Sequence, residues 1–552
     1  MMRKLRARGS YRPLGQVHSL LILFLTLLLN LCARAHANED PSTDASQSRQ
    51  SPEQTLIELS RKHHHLPWRL EAGYLQYFYR SDLERLAQVL HEAQERSVHL
   101  VHIGDSHVQR GFQRQGHLRA LQSRYPHGGP GLLFPYRTLK RRGPSHIKWS
   151  STGTWECNHS MSNRGPSPFG LLGVSCLTHD SSATVQGTLL ERAEVPIRNL
   201  TVLLEINRFI SSVSLEVADH VSRREVTGEE RSLTFTLPAH ASSFTLSFEV
   251  NSKLMSSAKT PEEPRRQRGK KKRVTKQKKT RPKRRSPEET LEPYLSLRGF
   301  SLTNQEERGL VISAAGVGGA NYQAPRLSKL LEDDMHILQP DIVLLDLGTN
   351  DILYTDMLPE SLERGIRIAI SKLRSARPDT VIILTTPGDL YRDGLNVISA
   401  LEFGELVYKI AQEERCLVLD WFWFSGGPRS ALKWRDHKYA YRDLVHLNQR
   451  GYQLKGQMMG LIIERTLDYY DPQMSPDHRL INRASWIEAA NKLGAEPPQP
   501  PHRKKRKWRR HTIRPNETWS SIAKLHKIKE HRLRRWNRKV TFERGKRLKF
   551  KK

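Results

Sequence analysis

The sequence predicts an α/β fold: a doubly wound parallel sheet, interrupted by a β-rich insertion and followed by a small separate module. Three observations carry this prediction. Short apolar runs at Val98–Ile103, Leu310–Ser313, Ile342–Leu347, Val381–Leu384 and Leu417–Asp420 read as buried strands. They alternate with helically spaced segments at Val108–Tyr125, Leu327–Leu338, Leu358–Ala376, Leu395–Glu414 and Tyr452–Leu467. The third observation is the charge. The formal net charge is +33, yet residues 265–285 hold 14 Lys/Arg and no acid, and residues 503–552 hold 22 Lys/Arg against Glu517, Glu530 and Glu543. Those two stretches account for the whole excess, so the remaining body is formally neutral and the basicity belongs to appendages.

A chain of 552 residues is too long for one core and divides into several parts. Residues 1–37 read as a secretory signal. Arg3, Lys4, Arg6, Arg8 and Arg12 precede the apolar run Leu20–Leu31, and Ala35-His36-Ala37 is a small-x-small cleavage site. The apolar run is shorter than the roughly 20 residues of a comfortable membrane span. Cys32 follows Leu31 where a lipoprotein signal wants a small residue, so no membrane anchor is expected after cleavage. Export permits a disulfide, and Cys157–Cys176 is the expected pair, with Cys416 a buried thiol. Residues 38–69 form an N-terminal extension in which Glu53–Arg61 has helical spacing, and a second such segment follows at Asp82–Arg96. His63-His64-His65 reads as a solvated run, since three adjacent histidines cannot all face one ion.

The first part of the α/β domain spans 70–138 and the second 298–470, with an insertion at 139–297. The insertion contains alternating segments at Leu200–Ile206, Val213–Val217, Leu233–Leu237 and Phe244–Val250, the pattern of a β-sandwich or jelly roll. A disordered basic loop is expected at 259–287, a Pro-rich then basic linker at 471–510, and a separate module at 511–552. Segments so basic suit an anionic polymer or surface as partner through 265–285 and 503–552; nucleic acid is not the expected one.

The first strand runs into Gly104-Asp105-Ser106, which exposes a serine at the carboxyl edge of the sheet, where open α/β folds bind ligands. Taken alone, this stretch favours Ser106 as a helix cap. Three later blocks change this: Gly316-Val317-Gly318-Gly319-Ala320-Asn321, Asp346-Leu347-Gly348-Thr349-Asn350-Asp351 and Asp443-Leu444-Val445-His446. In this order the four blocks resemble the SGNH (GDSL-type) hydrolase family. The resemblance implies a flavodoxin-like doubly wound fold and a serine esterase with no cofactor or metal. It makes Ser106 the nucleophile, His446 its base and Asp443 the residue that orients the base. The oxyanion hole it implies consists of the backbone N–H groups of Ser106 and Gly319 and the side-chain amide of Asn350. Gly319 fits the family's Gly-x-x-Gly register better than Gly318. Asp105, Thr349 and Asp351 are scaffold residues on this reading, and His107 has a packing role at the start of the helix.

Within that family, Gly104-Asp105-Ser106-His107, His127-Gly128-Gly129-Pro130-Gly131 and Gly426-Gly427-Pro428-Arg429-Ser430 with Trp434 look like those of peptidoglycan O-acetylesterases. That resemblance, over about residues 70–470, implies removal of O-acetyl groups from muramic acid. The tail, from Thr512-Ile513-Arg514-Pro515-Asn516-Glu517-Thr518-Trp519 to Gly545-Lys546-Arg547-Leu548, resembles a LysM domain. It implies a βααβ module on peptidoglycan glycan strands, with Asn516 at the usual turn glycine. The expected place of action is outside the cytoplasm, periplasmic or wall-associated. The alternatives are another carbohydrate O-acetylesterase, a lipase or thioesterase, a peptidoglycan O-acetyltransferase of the same fold, and a non-catalytic wall-binding protein.

Overall fold

A computed structural model of the protein describes residues 50–257, 292–470, 483–493 and 508–551, apart from 137, 139–142, 145, 162–164, 166, 191–196, 239–240, 305, 356 and 539. The signal sequence, the basic run at 265–285 and much of the linker lie outside the described residues.

All five apolar runs are strands: β1 (Ser97–Gly104), β2 (Gly309–Gly316), β3 (Ile342–Asp346), β4 (Val381–Thr385) and β5 (Leu417–Leu419). They pair in parallel in the order β2-β1-β3-β4-β5. This is the flavodoxin-like order, and its reversal between β1 and β3 opens a crevice at their carboxyl ends. Burial of β3 and β4 along their whole length explains why both read as unbroken apolar runs.

Four helices matter for the site: α1 (Phe112–Leu121), α2 (Ser361–Ala376), α3 (Ser399–Glu413) and α4 (Gln449–Asp468). The pair α1 and α4 approach at backbone distance. A Cβ on Gly116 would lie 2.2 Å from the Gln453 carbonyl oxygen, and one on Gly456 would lie 2.0 Å from that of Gln113. Only glycine fits at these two positions. Helix α1 starts later than the spacing predicted, because residues 106–111 form turns and Gly111 has φ +68° just before Phe112.

The insertion is a β-sandwich. One sheet runs 232–236, 197–206, 295–304, 174–178, 156–159, with 131–133 also on 295–304; the other runs 147–151, 185–189, 243–250, 210–217, 220–225. Trp149, Phe235, Phe244 and Phe300 fill the space between them. Strands 131–133 and 295–304 carry this sheet beyond the limits drawn at 139 and 297. Cys157 and Cys176 face each other across neighbouring strands and are disulfide-bonded. The fully buried Arg298 holds the insertion to the α/β body. Its Nε donates to Asp334 at 2.9 Å, and Nη1 and Nη2 donate to the Leu204 and Arg231 carbonyls.

Two other expectations change. Within the expected linker, Ala484–Leu493 is a helix whose Trp486 packs on Trp423 and under Arg69, because its apolar residues find the core. The histidine run is not fully solvated: His63 is buried, with its Nδ1 2.7 Å from the Tyr439 hydroxyl, and His65 packs on His437. Cys416 is a buried free thiol, pushed by burial up to about 12.

The tail forms a βααβ module. Strands Trp508–Thr512 and Arg547–Lys551 pair antiparallel, and helices Trp519–Leu525 and Glu530–Trp536 close over Ile513, Ile522, Leu533, Leu548 and Phe550. Asn516 adopts φ +66°, the left-handed conformation asparagine tolerates better than most residues. Among the described residues, no helix is long and apolar enough to cross a membrane.

Candidate active site

The end of β1 is sterically fixed. A Cβ on Gly104 would lie 2.4 Å from Val108 Cγ2 and 3.0 Å from the Asp346 carbonyl oxygen, so the strand can turn sharply here only as glycine. Asp105 then organises the turn. Its carbonyl accepts from the N–H groups of Val108 and Gln109, and its carboxylate accepts from the His107 N–H at 2.8 Å. Ser106 is thereby held half-buried at the carboxyl edge, at the strand-order reversal.

The docking of α4 on α1 brings the Asp443–His446 block to this turn. Ser106 Oγ lies 2.8 Å from His446 Nε2, and His446 Nδ1 lies 3.0 Å from Asp443 Oδ2. Asp443 Oδ1 also accepts the backbone N–H groups of Val445 and His446. Burial pushes the Asp443 carboxyl up, but those two N–H groups and the His446 ring outweigh it and hold it below the usual carboxylate range. An ionised Asp443 only accepts, so Nδ1 carries the ring hydrogen. Nε2 is then a lone pair, and the Ser106 hydroxyl donates to it. The loop is conformationally strained: Leu444 has φ +60°, a region that costs a non-glycine residue about 1–2 kcal/mol. Its carbonyl accepts from Tyr391 N–H and its side chain packs with Tyr391 and Ala431.

Further N–H and amide groups lie on the loops after β2 and β3. The Gly318 N–H is used internally, donating to Gln109 Oε1 at 2.8 Å. The N–H groups of Ser106 and Gly319 have no partner among the described residues. Gly319 has φ +86°, a conformation that favours glycine. Asn350 lies at the start of the short helix Thr349–Ile352 after β3. Its Nδ2 donates to Asp105 Oδ2 at 2.8 Å and to the Ala320 carbonyl at 2.9 Å, so both amide hydrogens are engaged. Asp351 accepts the Tyr322 N–H, and burial pushes its carboxyl up to about 7. Thr349 is buried beside them.

Two features escaped the sequence. His107 does not pack at the start of a helix. Its ring lies between Asp105 Oδ1, 2.6 Å from Nδ1, and the Val445 carbonyl, 2.9 Å from Nε2. The second feature is a buried ionic network under the turn. Asp346 at the end of β3 accepts from Lys455 Nζ at 2.7 Å, Thr385 Oγ1 at 2.9 Å and Gln113 Nε2 at 3.3 Å, with His102 Nε2 also at 3.3 Å. Burial opposes its charge, but Lys455 and His102 hold it well below the usual carboxylate range. A lysine on a helix reads as solvated in sequence; only the close α1–α4 packing turns Lys455 inward. Among the described residues, no group of three or more His, Cys, Asp or Glu is placed to hold a metal ion.

Residues 292–454 match the GDSL-like lipase/acylhydrolase family, and residues 511–542 match the LysM domain. The solved structure of a peptidoglycan O-acetylesterase superposes with a TM-score of 0.54 at 16% identity, covering 70% of this chain and 96% of that one. A family two carbohydrate esterase from Cellvibrio japonicus gives 0.22 at 11% identity, over 58% and 100%. A lipase/acylhydrolase from Enterococcus faecalis gives 0.23 at 18%, over 30% and 81%. No curated protein matches the sequence significantly. The chain therefore carries a GDSL-like acylhydrolase domain on an SGNH-hydrolase fold, with a LysM domain following it.

Proposed function

We propose that the protein is an exported serine esterase that removes O-acetyl groups from muramic acid in cell-wall peptidoglycan. The observation that carries the reading is the hydrogen-bonded line from Ser106 Oγ through His446 to Asp443, at 2.8 and 3.0 Å, on a chain that also bears a LysM domain. A serine hydroxyl is a poor nucleophile until an adjacent base takes its proton. His446 accepts that proton as Ser106 Oγ attacks the acetyl carbonyl, and Asp443 stabilises the imidazolium. The oxyanion is met by the N–H groups of Ser106 and Gly319. Asn350 contributes once its amide exchanges one of its two present acceptors for the new charge. His446 then returns the proton to the departing sugar oxygen. Water, deprotonated by the same histidine, cleaves the acetyl-Ser106 ester to give acetate. Similarity in fold to a peptidoglycan O-acetylesterase supports the choice of substrate, as does the LysM domain, a family that binds N-acetylglucosamine-containing glycans.

The test is incubation with O-acetylated sacculi and with sacculi lacking acetyl groups plus an acetyl donor. Acetate release from the first with no acetyl gain by the second is the expected result. Acetyl gain would reassign the protein as a transferase, and inertness towards sacculi with activity on longer acyl esters would reassign it as a lipase.

A further inference from the structure

We propose that His107 is the positioning residue of this site, clamping the loop that carries His446 to the Asp105 carboxylate that also holds Asn350. The inference rests on reading Ser106 and His446 as the reacting pair.

Both ring nitrogens of His107 face acceptors. The Val445 carbonyl oxygen, 2.9 Å from Nε2, can only accept, so Nε2 carries a hydrogen. Asp105 also accepts the His107 N–H and the Asn350 amide, which is the pattern of an ionised carboxylate, so Nδ1 at 2.6 Å carries the other. His107 is therefore an imidazolium. Burial disfavours that charge, but the Asp105 carboxylate outweighs burial and holds the ring above the ordinary histidine value. The other groups around it are Lys455, which opposes the charge, the His446 ring stacked at 5.1 Å and 17°, and the Tyr452 ring edge-on at 5.6 Å.

The clamp is placed where the loop needs it. Val445 directly precedes His446, so its carbonyl fixes the peptide from which the base projects. The rest of the loop is held by its own turn and by Leu444 against Tyr391, while the Asp443 side chain is 50% exposed. His107, Leu444 and Val445 also line a cavity of about 40 Å³. From the other side, Asp105 Oδ2 holds the Asn350 amide. One hydrogen-bonded line, Val445–His107–Asp105–Asn350, thus joins the base to an oxyanion donor beneath Ser106.

Steady-state hydrolysis of a soluble aryl acetate across pH tests this. The imidazolium is the clamping form, so its effect is present below its raised pKa and lost as pH rises through it. In the unmodified protein kcat falls as pH rises through that raised value, above the ordinary histidine range, while KM stays level. His107→Phe keeps the stacked ring but neither N–H; its kcat is lower by about 10²-fold, as for a misplaced reacting group, with KM unchanged and no alkaline fall. His107→Gln, with one amide donor, recovers part of the loss, and it decides the matter if the Phe variant does not fold. A kcat that is flat with pH in the unmodified protein, or unchanged in the folded variants, overturns the inference alone. An unmodified protein inert to every acetyl ester overturns it together with the reading on which it rests.

Discussion

Lys455 on α4 and Asp346 at the end of β3 form an ion pair of 2.7 Å in which both side chains are at most 5% exposed. The pair lies under the Ser106 turn and fastens α4, the helix that follows the Asp443–His446 block, to the sheet. Removing one partner of such a pair leaves the other charge buried and uncompensated. Lys455→Met should therefore destabilise the protein by about 3–5 kcal/mol in denaturant unfolding. The deficit should be largest near pH 7 and shrink towards pH 4, because an unpaired buried Asp346 protonates readily. The unmodified pair behaves oppositely. Asp346 is held below its ordinary value, so its contribution is complete above about pH 4 and is lost only as pH falls through the depressed value. A Lys455→Met deficit that grows on acidification would contradict the pairing.

Gly456 lies where α4 meets the Gln113 carbonyl of α1, with room for no Cβ. Gly456→Ala should cost about 1–3 kcal/mol through overpacking, and should lower esterase activity more than the loss of folded protein accounts for. Thermal unfolding alongside activity per folded molecule checks this. An alanine variant with unaltered stability would mean that the helices are farther apart than described.

How much of this was legible beforehand depends on what each residue meets. The strands of the sheet are buried on both faces, so Ile342–Leu345 and Val381–Leu384 could be read directly as apolar runs. Ser106, Gly319, Asn350, Asp443 and His446 could be named because each sits in a short block whose order is distinctive. Lys455 and His107 could not be read this way, because their roles come from partners 109 and 338 residues away in sequence. The edges of the insertion are not legible in sequence for a similar reason: strand 295–304 continues past residue 297, and nothing in its composition marks which sheet it joins. The helix at 484–493 was hidden because its docking depends on Trp486 reaching Trp423.

Asn350 has both amide hydrogens engaged in the free protein, so on the proposed mechanism it exchanges a partner as the oxyanion forms. Asn350→Ala should lower kcat by about 10²–10³-fold while leaving KM close to its original value. Steady-state kinetics on a soluble acetyl ester separates the two constants. A variant changed only in KM would make Asn350 a binding residue.

Deletion of residues 503–552 removes the LysM module and none of the groups around Ser106. Hydrolysis of soluble acetyl esters should persist, while the rate on insoluble sacculi should fall, since a tethered binding module raises the local concentration of substrate. Its positive charge adds a salt-screened component with a range of roughly 8 Å at physiological ionic strength. Pull-down of the full chain and of the truncated chain with sacculi across a salt series distinguishes glycan recognition, which survives salt, from charge attraction, which does not. If all binding attributable to the tail is released at moderate salt, the module acts only as a polycation.

The most direct test of the central claim is acetate release from O-acetylated peptidoglycan by the protein and by Ser106→Ala. The hydroxyl that donates to His446 is the only group removed, and loss of a triad nucleophile lowers turnover on the order of 10⁶-fold. The account predicts rapid release by the unmodified protein and none above background by a folded Ser106→Ala variant. Comparable release by both, or none by either, would contradict it.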